Sequence, residues 1–164
     1  GSNWNISIQY IHEDKPLGTG GALGLLPKNE IDKPLIMMNG DLLSKVNFLE
    51  LLHYHEEKKG KVTACVSEYE LQIPYGVVVK DEHKFLKIDE KPSHKFFINA
   101  GIYVVDPSII YDLDGSNFLD MPTLLNQITA QNLPVNVFPI HEYWLDIGQH
   151  DDFDRAKKDL IEEE

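Results

Sequence analysis

Leu35-Ile36-Met37-Met38-Asn39-Gly40-Asp41 is a continuous apolar run that breaks off into an amide, a glycine and an acid. An apolar run without alternation reads as a strand buried on both faces, and the polar triplet as the loop at its C-terminal end. Just downstream, Phe48, Leu49, Leu51, Leu52 and Tyr54 recur on one helical face with Glu56 to Lys59 on the polar side. Asn47 caps the start of that helix and Gly60 its end. Lys61 to Glu68 follows as a second strand. Strand, helix, strand is the unit of α/β folds, in which ligands gather beyond the C-terminal ends of strands.

The pattern extends in both directions. Upstream, Ser7 to His12 alternates and reads as a strand, followed by a glycine turn at Gly18 to Gly21 that opens into a short helix over Ala22 to Leu26. Downstream, Gly76 to Lys80 and Phe85 to Asp89 predict a hairpin turning at Asp81-Glu82-His83-Lys84. Phe96 to Val105 supplies another strand, ended by Asp106-Pro107. Asp120 caps a helix over 121–131 with Pro122 in its first turn, and Asn132 and Pro134 stop it. Val135 to Pro139 is a further strand, and a last helix runs from Gln149 to Leu160 before a frayed Glu162 to Glu164 tail. The expectation is a single α/β domain over residues 1–164, built on a mixed sheet.

Charge narrows the partners. Fifteen basic residues against 27 acidic ones give a net charge of −12, which repels a nucleic-acid backbone and an anionic membrane surface alike. Arg155 is the single arginine, so phosphate recognition falls to lysines. Cys65, the single cysteine, lies in the apolar run Val62 to Val66 and reads as a buried small hydrophobe. No apolar stretch approaches the roughly 18 residues of a membrane span, and a cytoplasmic location is expected. The histidines show no zinc-ligand spacing, and neither a Gly-x-Ser-x-Gly elbow nor a Cys/His nucleophile arrangement occurs.

Five clusters have chemical potential. Gly18-Thr19-Gly20-Gly21 lets a flat ligand or a phosphate approach the backbone, and a plain tight turn explains it equally well. Asp41 and Asp146 are acids at strand ends, the first directly after Gly40 and the second two residues before Gly148, suited to sharing a hard cation; taken singly, each also reads as a turn residue. Glu90-Lys91-Pro92 sets an acid and a base side by side, fit for sugar hydroxyls and a phosphate, or simply a solvated charge pair. Asn99-Ala100-Gly101 interrupts an apolar strand with a polar group and two small neighbours that leave room for a ligand. Tyr75-Gly76 admits close backbone approach or a simple turn.

The order of these clusters is more specific than any one of them. Glu13 with Leu17-Gly18-Thr19-Gly20-Gly21-Ala22, then Asn39-Gly40-Asp41, Tyr75-Gly76-Val77-Val78, Glu90-Lys91-Pro92, Asn99-Ala100-Gly101-Ile102-Tyr103 and Trp144-Leu145-Asp146-Ile147-Gly148 resembles the sugar-1-phosphate nucleotidyltransferase family from about Ile8 to Ala156. The resemblance implies a mixed, mostly parallel sheet in a Rossmann-like three-layer sandwich of the nucleotide-diphospho-sugar transferase type. It implies that Gly18, Thr19, Gly20 and Gly21 bind the nucleotide, that Asp41 and Asp146 hold Mg2+, and that Gly76, Glu90, Asn99 and Ala100 contact the sugar. Lys91 would face the sugar phosphate and act in catalysis with Asp41 and Asp146. The reaction would join a nucleoside triphosphate to a sugar 1-phosphate by in-line attack on the α-phosphorus. The closing Tyr143-Trp144-Leu145-Asp146-Ile147-Gly148 looks most like guanylyltransferases acting on mannose 1-phosphate or a related sugar phosphate, which favours GTP, with uridylyl and thymidylyl relatives open.

The family's N-terminal loop of the type Gly-x-Gly-Thr-Arg-x-x-Pro has no counterpart before Ile8. The expectation is therefore that residues 1–164 are the C-terminal two-thirds of a single nucleotidyltransferase domain, completed by an N-terminal segment or by a second copy, and inactive by themselves. A sensing domain for sugar phosphates or nucleotide sugars, without catalysis, is the alternative.

Overall fold

The computed structural model describes residues 1–148 and 150–161; Gln149 and the tail expected to fray, Glu162 to Glu164, lie outside them. In chain order the elements are α1 (Gly18–Gly21), β1 (Leu35–Met38), β2 (Leu42–Ser44), α2 (Phe48–Lys58), β3 (Val62–Gln72), β4 (Val77–Asp81) and β5 (Lys84–Asp89). There follow β6 (Ser93–Val105), α3 (Pro107–Asp112), α4 (Met121–Ala130), β7 (Val135–Ile140), β8 (Trp144–Asp146) and α5 (His150–Ile161).

The main sheet has the order β1-β6-β3-β7. Period-two alternation along β6 divides the core between its faces. Ala100, Ile102 and Val104 pack with Leu42, Val46, Leu51 and Cys65 beneath α2. Tyr103 and Val105 pack with Ile109, Ile110, Met121, Leu124 and Ile128 from α3 and α4. Helices on both faces of one sheet make the three-layer sandwich expected from the sequence.

The sheet is mixed, and its proportions need one correction. β1, β3 and β7 run the same way, so most strands are parallel in direction, but β6 opposes them from an interior position. Both ladders of β6 are therefore antiparallel, and β3 with β7 is the one parallel pair among the described residues. A second correction concerns Ser7 to His12, which joins no ladder. Alternating apolar residues need a neighbouring strand as well as a pattern; here Ile8 and Tyr10 are solvent-exposed.

Local signals explain most helix boundaries. Asn47 accepts from the Leu49 and Glu50 amides at 3.1 and 3.3 Å, and the left-handed C-cap falls one residue before the expected glycine, at Lys59 with φ 51°. Asp106-Pro107, read as a strand terminator, is also a helix start: the Asp106 carboxylate accepts the Ser108 amide at 2.9 Å with Pro107 in the first turn. Among the described residues no helix is long and apolar enough to cross a membrane.

His55 is the buried titratable group of α2. It is 2% exposed, and its Nδ1 lies 2.8 Å from Thr63 Oγ1. Burial holds its pKa below the ordinary 6.5, against the pull of Asp106 and Glu56 and together with the push of Lys61. The unfolded chain thus binds this proton more readily, so the stabilisation is complete above pH 6.5 and is lost as pH falls from 6.5 through the lowered native value. The urea midpoint should fall between pH 7.5 and 5.5, and His55→Gln should flatten that slope, as read by parallel urea titrations.

Candidate active site

β1 ends at Met38 and delivers Asn39-Gly40-Asp41 to the edge of the sheet. The Asn39 amide donates to the Gly101 carbonyl on β6 at 3.0 Å, which anchors the loop. Beyond it, β2 pairs antiparallel with β8, matching Leu42 with Asp146, and the Ile147 amide donates to the Asp41 carbonyl at 2.9 Å. This small ladder is what brings the two acids together across 105 residues of sequence. A Cβ placed on Gly148 would stand 3.1 Å from Asp146 Oδ1 and 3.9 Å from Asp41 Oδ2, so both carboxylates border one point kept open by a glycine. The Gly148 amide orients Asp146 by donating to Oδ1 at 2.9 Å.

Two clefts meet at Asp41. The first, about 520 Å³, is lined by Glu13, Gly18, Thr19, Ala22 and the β1 end from Met37 to Asp41. The second, about 680 Å³, is lined by Ser67, Glu68, Tyr69 and Ile98 from β3 and β6, by Trp144, Leu145, Asp146 and Gly148, and by Asp152 of α5, with Asp41 again.

The first cleft's glycine wall is a turn of helix, α1, clamped from behind. Glu13 Oε2 accepts the Leu17 amide at 2.8 Å, the Gly20 amide donates to the Leu119 carbonyl at 2.8 Å, and Thr19 Oγ1 accepts the Met121 amide at 3.0 Å. Gly18 and Thr19 line the cleft, whereas Gly20 and Gly21 are buried against the 117–121 segment, where Cβ atoms would meet Leu119 O at 3.3 Å and Asn117 O at 3.2 Å. The smallness of these last two serves chain packing, and the Gly20 amide has a protein acceptor.

On β6, Asn99 is exposed; its side-chain amide donates to the Tyr103 hydroxyl, and its Oδ1 accepts the Gly101 amide at 3.4 Å. Ala100 is fully buried, and its carbonyl accepts the Trp144 indole N–H at 2.9 Å. It sits behind the cleft wall, so the room its small side chain leaves is filled by core. Gly76 and Glu90 meet across the β4–β5 hairpin, where a Cβ on Gly76 would lie 3.0 Å from Glu90 Oε1. Lys91 follows in a left-handed conformation, φ 47°, with its carbonyl accepting Gln72 Nε2 at 3.5 Å. The hairpin is a separate two-stranded sheet, and its three expected residues line neither cleft. Ser67, Glu68, Tyr69, Trp144 and Asp152 are cleft residues that the sequence reading did not assign; the extended ladder of β3 with β6 and the start of α5 carry them there. Burial pushes the Cys65 thiol up to about 12, in keeping with a structural role.

A three-layer mixed sheet with an acid pair at strand ends and a glycine-walled cleft beside it defines the nucleotide-diphospho-sugar transferase type of fold. The structure superposes on HddC from Yersinia pseudotuberculosis, solved complexed with GMP-PN, with a TM-score of 0.66 at 22% identity, covering 92% of this chain and 65% of that one. The family model for nucleotidyl transferase matches residues 1–163, and the chain belongs to that family. It is 32% identical to a mannose-1-phosphate guanyltransferase of Debaryomyces hansenii, over 93% of this chain and 44% of that protein. With the mannose-1-phosphate guanylyltransferase catalytic subunit beta of Dictyostelium discoideum it shares 33% identity, over 90% of this chain and 42% of that protein. The chain thus spans less than half the length of these relatives.

Proposed function

We propose that the whole protein transfers a nucleoside monophosphate from a nucleoside triphosphate, GTP being favoured, to a sugar 1-phosphate such as mannose 1-phosphate, releasing pyrophosphate. The observation that carries this reading is Asp41, which borders both clefts and faces Asp146 across Gly148. The names of the mannose-1-phosphate relatives and the GMP-PN complex of HddC support the choice of substrates.

In this reading the nucleotide lies along Gly18 and Thr19 and the sugar phosphate enters the second cleft, so that the two meet at Asp41. A phosphate oxygen of the sugar attacks the α-phosphorus in line; the bond to pyrophosphate breaks as the new P–O bond forms, with no side-chain nucleophile. Asp41 and Asp146 fit Mg2+ as hard oxygen donors, and since no cluster of three or more metal-ligating side chains occurs among the described residues, phosphate oxygens would complete the coordination. When bound, the ion would neutralise charge on those oxygens. Gly76, Glu90 and Asn99 are assigned to the sugar, and Lys91 to its phosphate, by resemblance.

The test is pyrophosphate release by the full-length protein with mannose 1-phosphate and GTP, UTP or dTTP in turn. Release that is fastest with GTP is expected. Tight binding of sugar phosphate without release from any triphosphate would overturn the reading in favour of a sensing domain.

A further inference from the structure

We propose that Trp144 is a positioning residue, whose indole N–H sets the spacing between the sugar-side wall of the second cleft and the Asp41–Asp146 pair. This rests on the function proposed above.

Trp144 begins β8, two residues before Asp146, and its ring both lines the second cleft and packs on the core cluster of Ala100, Ile102 and Leu51. Its Nε1 crosses to β6 and donates to the Ala100 carbonyl at 2.9 Å. That carbonyl is otherwise outside the ladder's regular run, because β3 and β6 shift register between Ala64 and Val66, opposite this segment. The residues on either side have ties of their own: Asn99 donates to the Tyr103 hydroxyl, and Gly101, left-handed at φ 68° as glycine permits, holds the Asn39 amide at its carbonyl.

Three consecutive residues of an irregular strand therefore each hold a different partner: Asn99 bonds within β6 to Tyr103, Ala100 to Trp144 of β8, and Gly101 to Asn39 beyond β1. The Trp144 bond is the tie that runs directly to the strand carrying Asp146. A buried carbonyl left without its donor would draw the segment out of place or admit water, and Ile98, which lines the second cleft just upstream, would move with it. Because Trp144 and Ile98 line the second cleft directly, whereas the first meets this segment through the Asn39 amide on Gly101, the consequence should fall more on the sugar phosphate than on the nucleotide.

The clean perturbation is replacement of Trp144 by β-(3-benzothienyl)alanine, which nearly keeps the ring's shape and puts sulfur, which cannot donate, in place of the N–H, with Trp144→Phe as the genetically encoded counterpart. In the full-length protein KM for mannose 1-phosphate should rise about tenfold, with KM for GTP and kcat within about twofold. Hydrogen exchange of amides 99–103 should quicken while that of α4 is unchanged. Unchanged KM for the sugar phosphate, or an equal loss on both substrates with faster exchange throughout, would overturn the proposal. Should the unmodified protein turn over no triphosphate at all, the functional reading fails, and the positioning claim is decided by exchange alone: faster exchange confined to 99–103 sustains it, and none refutes it.

Discussion

Asp146→Asn is expected to lower the kcat of the full-length protein roughly 10²- to 10³-fold, the scale seen when one preorganised electrostatic partner of a transferring group is removed. Asparagine keeps the shape of the side chain and the acceptor that takes the Gly148 amide, so the change isolates the charge. Asp146 is solvent-exposed, and its backbone partners in the β2–β8 ladder are unaffected by the substitution. Thermal stability should therefore stay within about 0.5 kcal/mol of the parent, as for surface substitutions in general. Asp41→Asn should behave alike, and the double substitution should cost little more than either alone, since two groups acting on one centre are not additive. The Mg2+ concentration needed for half-maximal rate should rise in each single variant. Retention of more than a tenth of the parental kcat in both would remove these carboxylates from the mechanism.

The pairing of those acids was half legible in the sequence. Leu35 to Met38 announces a buried strand, and its polar exit fixes where Asp41 must lie relative to the sheet. The element that carries Asp146 to it could not be read, because β2 and β8 are three residues each, shorter than any periodicity can reveal. Likewise α3 was hidden behind Asp106-Pro107, a pair that stops a strand and starts a helix by the same chemistry.

Small residues misled in a consistent direction. Gly20, Gly21 and Ala100 read as room for a ligand, yet each faces protein: the first two the 117–121 segment, the third the core under α2. Sequence distance conceals such contacts, since Gly20 meets Leu119, and Ala100 meets Trp144, only after folding. The cleft-lining glycines, Gly18 and Gly40, have the same composition signal and differ only in what the fold sets beside them. Hence the motif order pointed to the family, while which member of each motif borders a cleft needed the tertiary structure.

That division makes Gly18→Ala the more damaging test on the nucleotide side. Gly18 is left-handed, φ 79°, a conformation that costs an L-residue about 1–2 kcal/mol. An added Cβ would also stand 2.7 Å from the Leu119 carbonyl oxygen and 3.0 Å from its carbon, both backbone atoms that no side-chain rotation can clear. The strain must be relieved by moving either α1 or the 117–121 segment. The Leu119 amide donates to the Leu17 carbonyl at 2.7 Å and its carbonyl accepts Gly20, so the two segments are held as one clamp, and displacing one breaks bonds of both. A loss of about 2–4 kcal/mol is expected from strain and broken hydrogen bonds combined, read as a lower urea midpoint. Because Gly18 and Thr19 form the wall of the first cleft while the second cleft draws on β3, β6 and β8, the kinetic loss should appear in KM for GTP before KM for mannose 1-phosphate. Asn at the same position tolerates the left-handed region better than Ala but brings the same Cβ. Gly18→Asn should therefore be about as destabilising as Gly18→Ala if the Leu119 contact dominates, and clearly milder if backbone strain does.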